Sequence, residues 1–188
     1  MSRWKPDARV RLEQAALDLY QERGFEQTTV TEIAERAGLT ERTFFRYFVD
    51  KREALFGDQD LLHTLCVRTI EAAPASATPL DAVAAALEAV VPVLQERHKL
   101  VRQRQAVIAA NPGLQERELL KGALLTSAMA EALRRRGVTD PAASLAAEVG
   151  VIVFKTAFDC WVSEPNTQDL SRLIRASLDH LKGIVAGR

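Results

Sequence analysis

Two closely spaced helix-capping signals, at Thr29 and Thr40, constrain the fold of this chain more than any other feature. The run from Thr29 to Glu32, TVTE, is a capping box, in which the threonine hydroxyl accepts from a backbone amide of the first turn and the glutamate reaches back. Gly38 ends this helix after about two turns, and Thr40 caps the next one, ERTFFRYF. The sequence therefore predicts two short helices joined by about three residues. This is the pattern of a helix-turn-helix, with the motif at about 31–50.

Helix signals continue along the chain, and no segment shows the two-residue alternation of a strand. We therefore expect an all-α protein of about nine helices. Asp50 and Glu53 form a second capping box, which predicts that the fourth helix opens near Lys51. The predicted spans are 7–23, Thr29 to Gly38, 41–48, 51–72, 79–97 with a kink near Pro92, 99–110, 112–136, 141–163 and 167–186.

The aromatic residues divide the chain into two parts. Eight of the eleven lie in residues 1–56, where a small domain needs large side chains to build its core. The remainder is rich in alanine, leucine and valine at helical spacing, which suits long packed helices. We expect a helix-turn-helix domain over 1–56 and a second, helical domain over 57–188.

The third helix carries more rings than one face can bury. Phe44 and Phe48 are four residues apart and therefore share a face, which we expect to pack inward. The remaining arc carries side chains that bond phosphate oxygens and base edges, and Lys51 would add a cation in the first turn of the fourth helix. A merely solvated charged face is the alternative. The predicted DNA contacts are Thr40, Arg42, Thr43, Phe45, Arg46, Tyr47 and Lys51.

The stretch TVTEIAERAGLTERTFFRYFVDKREALF resembles the signature of the tetracycline-repressor (TetR) family. The resemblance implies a bacterial homodimeric repressor that binds operator DNA and releases it when its second domain binds a small molecule. It also implies DNA contacts at Thr40, Thr43, Phe45, Tyr47 and Lys51. Arg42 and Glu41 depart from the usual pattern, and a carboxylate at position 41 either points away from the phosphates or weakens binding.

The stretch LVRQRQAVIAANPGLQER, residues 100–117, resembles the C-terminal domain of a TetR subgroup that includes mycofactocin-type regulators. That resemblance implies a small apolar effector, and acyl-CoA is a candidate. The arginines could instead be surface ion-pair partners, and the aromatic stripe could be core. A protein partner acting on this domain is a further alternative. The candidate pocket residues are Cys66, Arg102, Arg104, Phe154, Phe158 and Trp161.

The last two helices have apolar faces that one chain does not obviously cover, so we expect a four-helix interface between two copies. The predicted interface residues are Leu145, Val149, Ile152, Val153, Leu170, Leu173, Ile174, Leu178 and Leu181.

Other classes of protein lack support in the sequence. His63, His98 and His180 fall on different predicted helices without a matched nucleophile or metal-ligand spacing, so we expect no enzyme, no cofactor and no metal site. Cys66 and Cys160 are read as reduced thiols. No apolar run is long enough to span a bilayer, and the first residues do not resemble a signal peptide, so we expect a cytoplasmic protein without a membrane partner.

Overall fold

A computed structural model describes residues 7–57, 59–163 and 167–187. The described residues form α-helices and one short 3₁₀ turn, so the predicted all-α class is confirmed. No described helix is both long and apolar enough to cross a membrane. The helices are α1 (Ala8–Arg23), α2 (Val30–Arg36), α3 (Glu41–Tyr47), α4 (Gln59–Ala72), α5 (Pro79–Glu96), α6 (His98–Ala109), α7 (Pro112–Arg135), α8 (Ala142–Val162) and α9 (Leu170–Val185).

The helices form two compact units. Unit 1 contains the residues up to Gln59 together with Lys99–Glu116, and unit 2 contains Asp60–His98 and Arg117–Arg188. This grouping differs from the sequence-based division at residues 56 and 57 mainly in the segment 99–116, which carries most of α6. Side chains of α6 and of the start of α7 share one apolar core with α1, α2 and α3, namely Val107, Ile108 and Leu114.

The helix predicted to begin at Lys51 begins instead at Gln59, so that prediction is wrong. Asp50 does cap the chain, accepting from the amides of Arg52 and Glu53 at 2.8 and 3.1 Å, but the turn that follows is the 3₁₀ helix Glu53–Leu55. Gly57 then lies so close to α1 that a Cβ there would overlap the Glu13 carboxylate. This close approach joins residues far apart in the sequence, and a capping signal cannot reveal it.

Unit 2 is built around α5, α8 and α9, which pack against one another. Gly150 on α8 permits the close approach, because a Cβ there would overlap a methyl group of Val83 on α5. Met129 and Leu133 of α7 are also buried. Small residues on α5 and α8 are what allow these helices to pack closely, as the alanine-rich composition predicts.

Candidate DNA-binding surface

Helix α3 is anchored by the two rings that were predicted to point inward. Phe44 and Phe48 are buried, with ring centroids 5.3 Å apart, and share a core with Ile33 and Ala37 of the preceding helix and turn. Leu39 packs against this core from the turn between α2 and α3. These contacts fix the rotation of α3 and leave its opposite face to solvent.

The turn between α2 and α3 is held by a helix cap and by a side-chain hydrogen bond between the two helices. The Thr40 hydroxyl accepts from the Thr43 amide at 3.2 Å, and Gly38 adopts a φ of 63°, which favours glycine. The Thr31 hydroxyl of α2 donates to the Glu41 carboxylate of α3. Glu41 is therefore tied to the preceding helix by this hydrogen bond.

The outer face of α3 presents two guanidinium groups and a ring. Arg42 and Arg46 are exposed, and Phe45 exposes 55% of its surface. The Arg46 guanidinium donates to the Tyr47 hydroxyl at 3.2 Å and lies 5.0 Å from the centroid of that ring. Among the described residues none bonds the Arg42 guanidinium. The two arginines therefore differ, since Arg46 is held against the helix while Arg42 can extend.

Lys51 lies in a different environment from the one expected. Its ammonium donates to the carbonyl oxygens of Phe25, Glu26 and Thr28 at 2.9, 3.3 and 3.0 Å. It also lies 4.4 Å from the centroid of the Phe25 ring. The expectation that Lys51 opens a helix was wrong, and in this structure its ammonium is turned inward to the loop between α1 and α2.

Comparison with known families agrees with this architecture. Residues 13–57 match the model described as bacterial regulatory proteins, tetR family. Residues 77–186, more than half of the chain, match the model of the MftR C-terminal domain. The chain belongs to the TetR family of bacterial transcriptional regulators. Both resemblances seen in the sequence are thereby confirmed.

The relatives of this TetR-family chain differ in how much of their length is similar to it. The HTH-type transcriptional regulator TcmR of Streptomyces glaucescens is 37% identical over 76 residues, which cover 40% of this chain and 34% of TcmR. The Thermus thermophilus repressor FadR, crystallised with lauroyl-CoA, has a TM-score of 0.56 and 23% identity over 93% of both chains. A regulator from Syntrophomonas wolfei has a TM-score of 0.67 and 16% identity, covering 96% of this chain and 95% of its own. At these identities the solved structures show the fold.

Four of the six predicted effector-pocket residues lie in unit 2. A row of rings runs from Phe154 through Phe158 to Trp161, with centroids 5.6 and 5.9 Å apart, and Trp161 stacks on His98 at 4.3 Å. Cys66 is buried, and burial raises the pKa of its thiol to about 11. Its sulfur lies 3.9 Å from the Ala86 carbonyl oxygen of α5, so the thiol packs against that helix.

A cavity of about 370 Å³ in unit 2 borders the end of this aromatic row. Of the six predicted pocket residues, Trp161 is the one that lines it. The other lining groups are amide, hydroxyl, imidazole and carboxylate side chains, which sequence reasoning missed because they come from two segments that lie far apart along the chain. The cavity is lined by Gln95, His98, Trp161, Thr167, Gln168 and Asp169.

The two arginines assigned to the same pocket belong to unit 1, because Arg102 and Arg104 lie on α6. Arg104 donates through Nε to the Leu55 carbonyl oxygen at 2.5 Å and lies 4.9 Å from the centroid of the Phe56 ring. This geometry joins α6 to the turn that follows α3. The structure thus gives Arg104 a role in the packing of unit 1, and its assignment to the mouth of an effector pocket stays a prediction.

The predicted dimer interface separates into two sets. Val153, Leu170, Ile174 and Leu178 are buried within the single chain, and Leu170 and Ile174 have no exposed surface at all. Leu170 and Ile174 belong to the core of unit 2, and their assignment to an interface is corrected, because a side chain without exposed surface cannot meet a partner. Val153 and Leu178 keep 3% and 8% of their surface exposed, and their assignment to an interface stays a prediction. Leu145 and Ile152 expose 60% and 61% of their surface, and Val149, Leu173 and Leu181 are partly exposed.

Proposed function

We propose that the protein is a homodimeric, ligand-responsive repressor whose two α3 helices enter successive major grooves of a near-palindromic operator. The observation that carries this proposal is the outward face of α3, where two guanidinium groups and a ring project from a helix locked by Phe44 and Phe48. Such a face suits the acceptor-rich edges and phosphates of duplex DNA. A regulator of chromosomal DNA would act in the cytoplasm.

The side chains of this face suit different parts of the duplex. We assign base reading to Arg42, since it lies in the first turn of α3, where recognition helices meet base edges, and can fork onto guanine O6 and N7. We assign phosphate contacts to Arg46 and Tyr47, which support each other. The hydroxyls of Thr40 and Thr43, 3.1 Å apart, can add bonds to the backbone of the DNA.

The first test is to identify the operator by sequencing genomic fragments that the purified protein retains. On that operator Arg42→Ala removes one contact from each subunit, so it should lose about 2 to 6 kcal/mol of binding free energy and become less selective at one base pair of each half-site. Arg46→Ala, the matched control, should weaken operator and random duplexes by the same factor. Equal losses on both duplexes for Arg42→Ala would remove its assignment as a base reader.

We propose that the exposed apolar residues of α8 and α9 form the dimer interface. Leu145, Val149 and Ile152 follow one another at helical spacing on α8, and Leu173 and Leu181 do so on α9. Ile184, which exposes 74% of its surface, extends the α9 face by one turn. Two copies meeting through these faces would cover leucine and isoleucine side chains that a single chain leaves in water.

We propose that the effector is a small apolar molecule bound by unit 2, with a long-chain acyl-CoA as the first candidate. The resemblance of residues 100–117 to the subgroup that includes mycofactocin-type regulators supports this class, and the fold matches a repressor crystallised with lauroyl-CoA. The row from Phe154 to Trp161 offers apolar contact for an acyl chain. Among the described residues that line the cavity beside Trp161 there is no lysine or arginine, so we expect the phosphates of CoA to bind elsewhere.

Thermal-shift measurements with lauroyl-CoA, laurate and CoA alone would test the proposed effector. They would also show whether the acyl chain or the CoA group is bound. A ligand that binds the folded protein raises Tm in proportion to RT ln(1 + [L]/Kd). Operator titration with and without that ligand should then show a decrease in affinity of about 5- to 150-fold. A ligand that binds without changing operator affinity would refute the switch. If none of these ligands binds and a second protein co-purifies with this one, the alternative of a protein partner would be favoured.

A further inference from the structure

Glu41 is an acidic side chain on the helix that we propose reads DNA. It is the first residue of α3, and both Glu41 and its neighbour Arg42 are exposed. Glu41 also departs from the usual pattern of the TetR signature. A carboxylate on a surface that meets phosphates is repelled by them. Such a residue contributes to binding only through a contact that offsets this repulsion.

The Glu41 carboxylate is held in place by α2. The Thr31 hydroxyl of that helix donates to Oε1 of Glu41, which lies ten positions further along the chain. Among the described residues none bonds Oε2, and no described cation pairs with the carboxylate. One oxygen is consequently oriented, and the other remains available as an acceptor. A side chain that is already held in one conformation loses less freedom when it binds a partner.

An ionised carboxylate only accepts hydrogen bonds, and this restricts the bases that it can recognise. In the major groove guanine presents the acceptors N7 and O6, and thymine presents the acceptor O4 and a methyl group. Cytosine presents the N4 amino donor. Adenine presents a donor at N6 beside an acceptor at N7, which would repel the second oxygen of a carboxylate. Cytosine is therefore the base that best fits an acceptor-only side chain.

We propose that Glu41 reads the N4 amino group of a cytosine in each half-site of the operator, with Thr31 as the positioning residue that holds the carboxylate. The inference rests on the proposed function, because it requires α3 to enter the major groove. Glu41 and Arg42 then select different groups, since a carboxylate only accepts and a guanidinium only donates. The repulsion between Glu41 and the phosphates is offset at a matching cytosine and uncompensated at the other bases.

Fluorescence anisotropy with operator duplexes that carry each of the four base pairs at one symmetric pair of positions tests this assignment. At the position that Glu41 reads, replacing C·G by T·A exchanges a donor for an acceptor. The expected loss is about 5-fold in each half-site and about 25-fold for the dimer. Glu41→Gln keeps an acceptor for Thr31 and adds an amide donor, which can bond adenine N7. Its preference for C·G over A·T should be lower than that of the original protein by at least about 5-fold.

Two more variants separate the positioning role from the effect of charge. Thr31→Val removes the hydroxyl and keeps the shape of the side chain, so the preference for C·G over T·A should decrease by at least about 2-fold. Glu26→Gln is the matched control, since Glu26 is an exposed carboxylate in the loop between α1 and α2. It removes the same charge, so its affinity for all duplexes should change by one common factor.

An equal change in affinity for every duplex in Glu41→Gln would overturn the inference, because Glu41 would then act through its charge or through the fold. An unchanged preference in Thr31→Val would overturn the positioning role of Thr31. Failure of the proposed function gives a different result, in which the original protein binds all the duplexes equally. Selectivity that is lost in Arg42→Ala and kept in Glu41→Gln would support base reading by α3 and refute the role of Glu41.

Discussion

Phe45 should recognise the C5-methyl group of thymine in the operator. The ring exposes 55% of its surface and is held edge-on against the buried Phe44, with centroids 5.5 Å apart. A ring held in this way loses little side-chain freedom on binding, and the thymine methyl is the apolar group that the major groove offers. Replacing thymidine by deoxyuridine removes that methyl and leaves base pairing unchanged.

The expected size follows from the area that one methyl removes from water. Burial of a methylene-sized group is worth about 0.8 kcal/mol, which corresponds to about a 4-fold change in affinity. The replacement acts on both half-sites of a symmetric operator, so the dimer should lose about 15-fold. Fluorescence anisotropy with a series of duplexes, each carrying deoxyuridine at one symmetric pair of positions, measures the loss directly.

Two variants identify the side chain responsible. Phe45→Ala should bind the thymidine and deoxyuridine duplexes with affinities within about 2-fold of each other, because no ring remains to contact the methyl. Val49→Ala is the control, since Val49 is an exposed apolar residue just beyond α3, at 85% exposure, and it should keep the full sensitivity of the original protein. An equal loss on deoxyuridine in Phe45→Ala and in the original protein would refute the reasoning.

Three further predictions concern the assembly, unit 1 and the dependence on pH. Ile152→Glu should give a folded monomer in sedimentation equilibrium, because Ile152 lies in the proposed interface. Ile174→Glu should instead unfold the chain, because it buries a carboxylate at a cost of several kcal/mol. A stable dimer of Ile152→Glu would show that the interface lies elsewhere. Arg104→Met should lower the free energy of unfolding by about 1 to 3 kcal/mol in denaturant titration and leave effector affinity unchanged. Unchanged stability together with weaker effector binding would show that Arg104 belongs to the effector pocket. The Thr29 amide and hydroxyl lower the pKa of Glu32 below its ordinary value of 4.5, so the stability that this capping carboxylate adds is present above about pH 4.5 and is lost as the pH falls through the lowered value. Glu32→Gln should therefore flatten the fall of Tm measured from about pH 6 to about pH 3, and an unchanged profile would contradict the assignment.

Local chemistry in the sequence predicted most of the secondary structure. The hydroxyl of Thr29 and the carboxylate of Glu32 form the capping box at the start of α2, and Thr40 caps α3 as expected. Phe44 and Phe48 face inward because positions four apart share a side of a helix. These features depend on residues within about one turn of each other, so they can be read without knowing the fold.

The errors all concern contacts between distant parts of the chain. Before α4 begins, Gly57 lies close to α1, and the Lys51 side chain donates to carbonyl groups more than twenty residues earlier. Arg104 contacts a turn 49 residues before it. Neither the capping pattern nor the charge of these residues predicts contacts with residues so far away in the sequence.

The interface prediction shows the same division between what the sequence by itself determines and what only the tertiary structure decides. The spacing of apolar residues on α9 determines that the helix has an apolar face, but both Ile174 and Leu181 satisfy that spacing. Packing against α5 and α8 removes Ile174 from water and leaves Leu181 partly exposed. Periodicity gives the direction of a side chain around its own helix axis, whereas burial depends on which helices lie opposite, and that is set only when the whole chain folds.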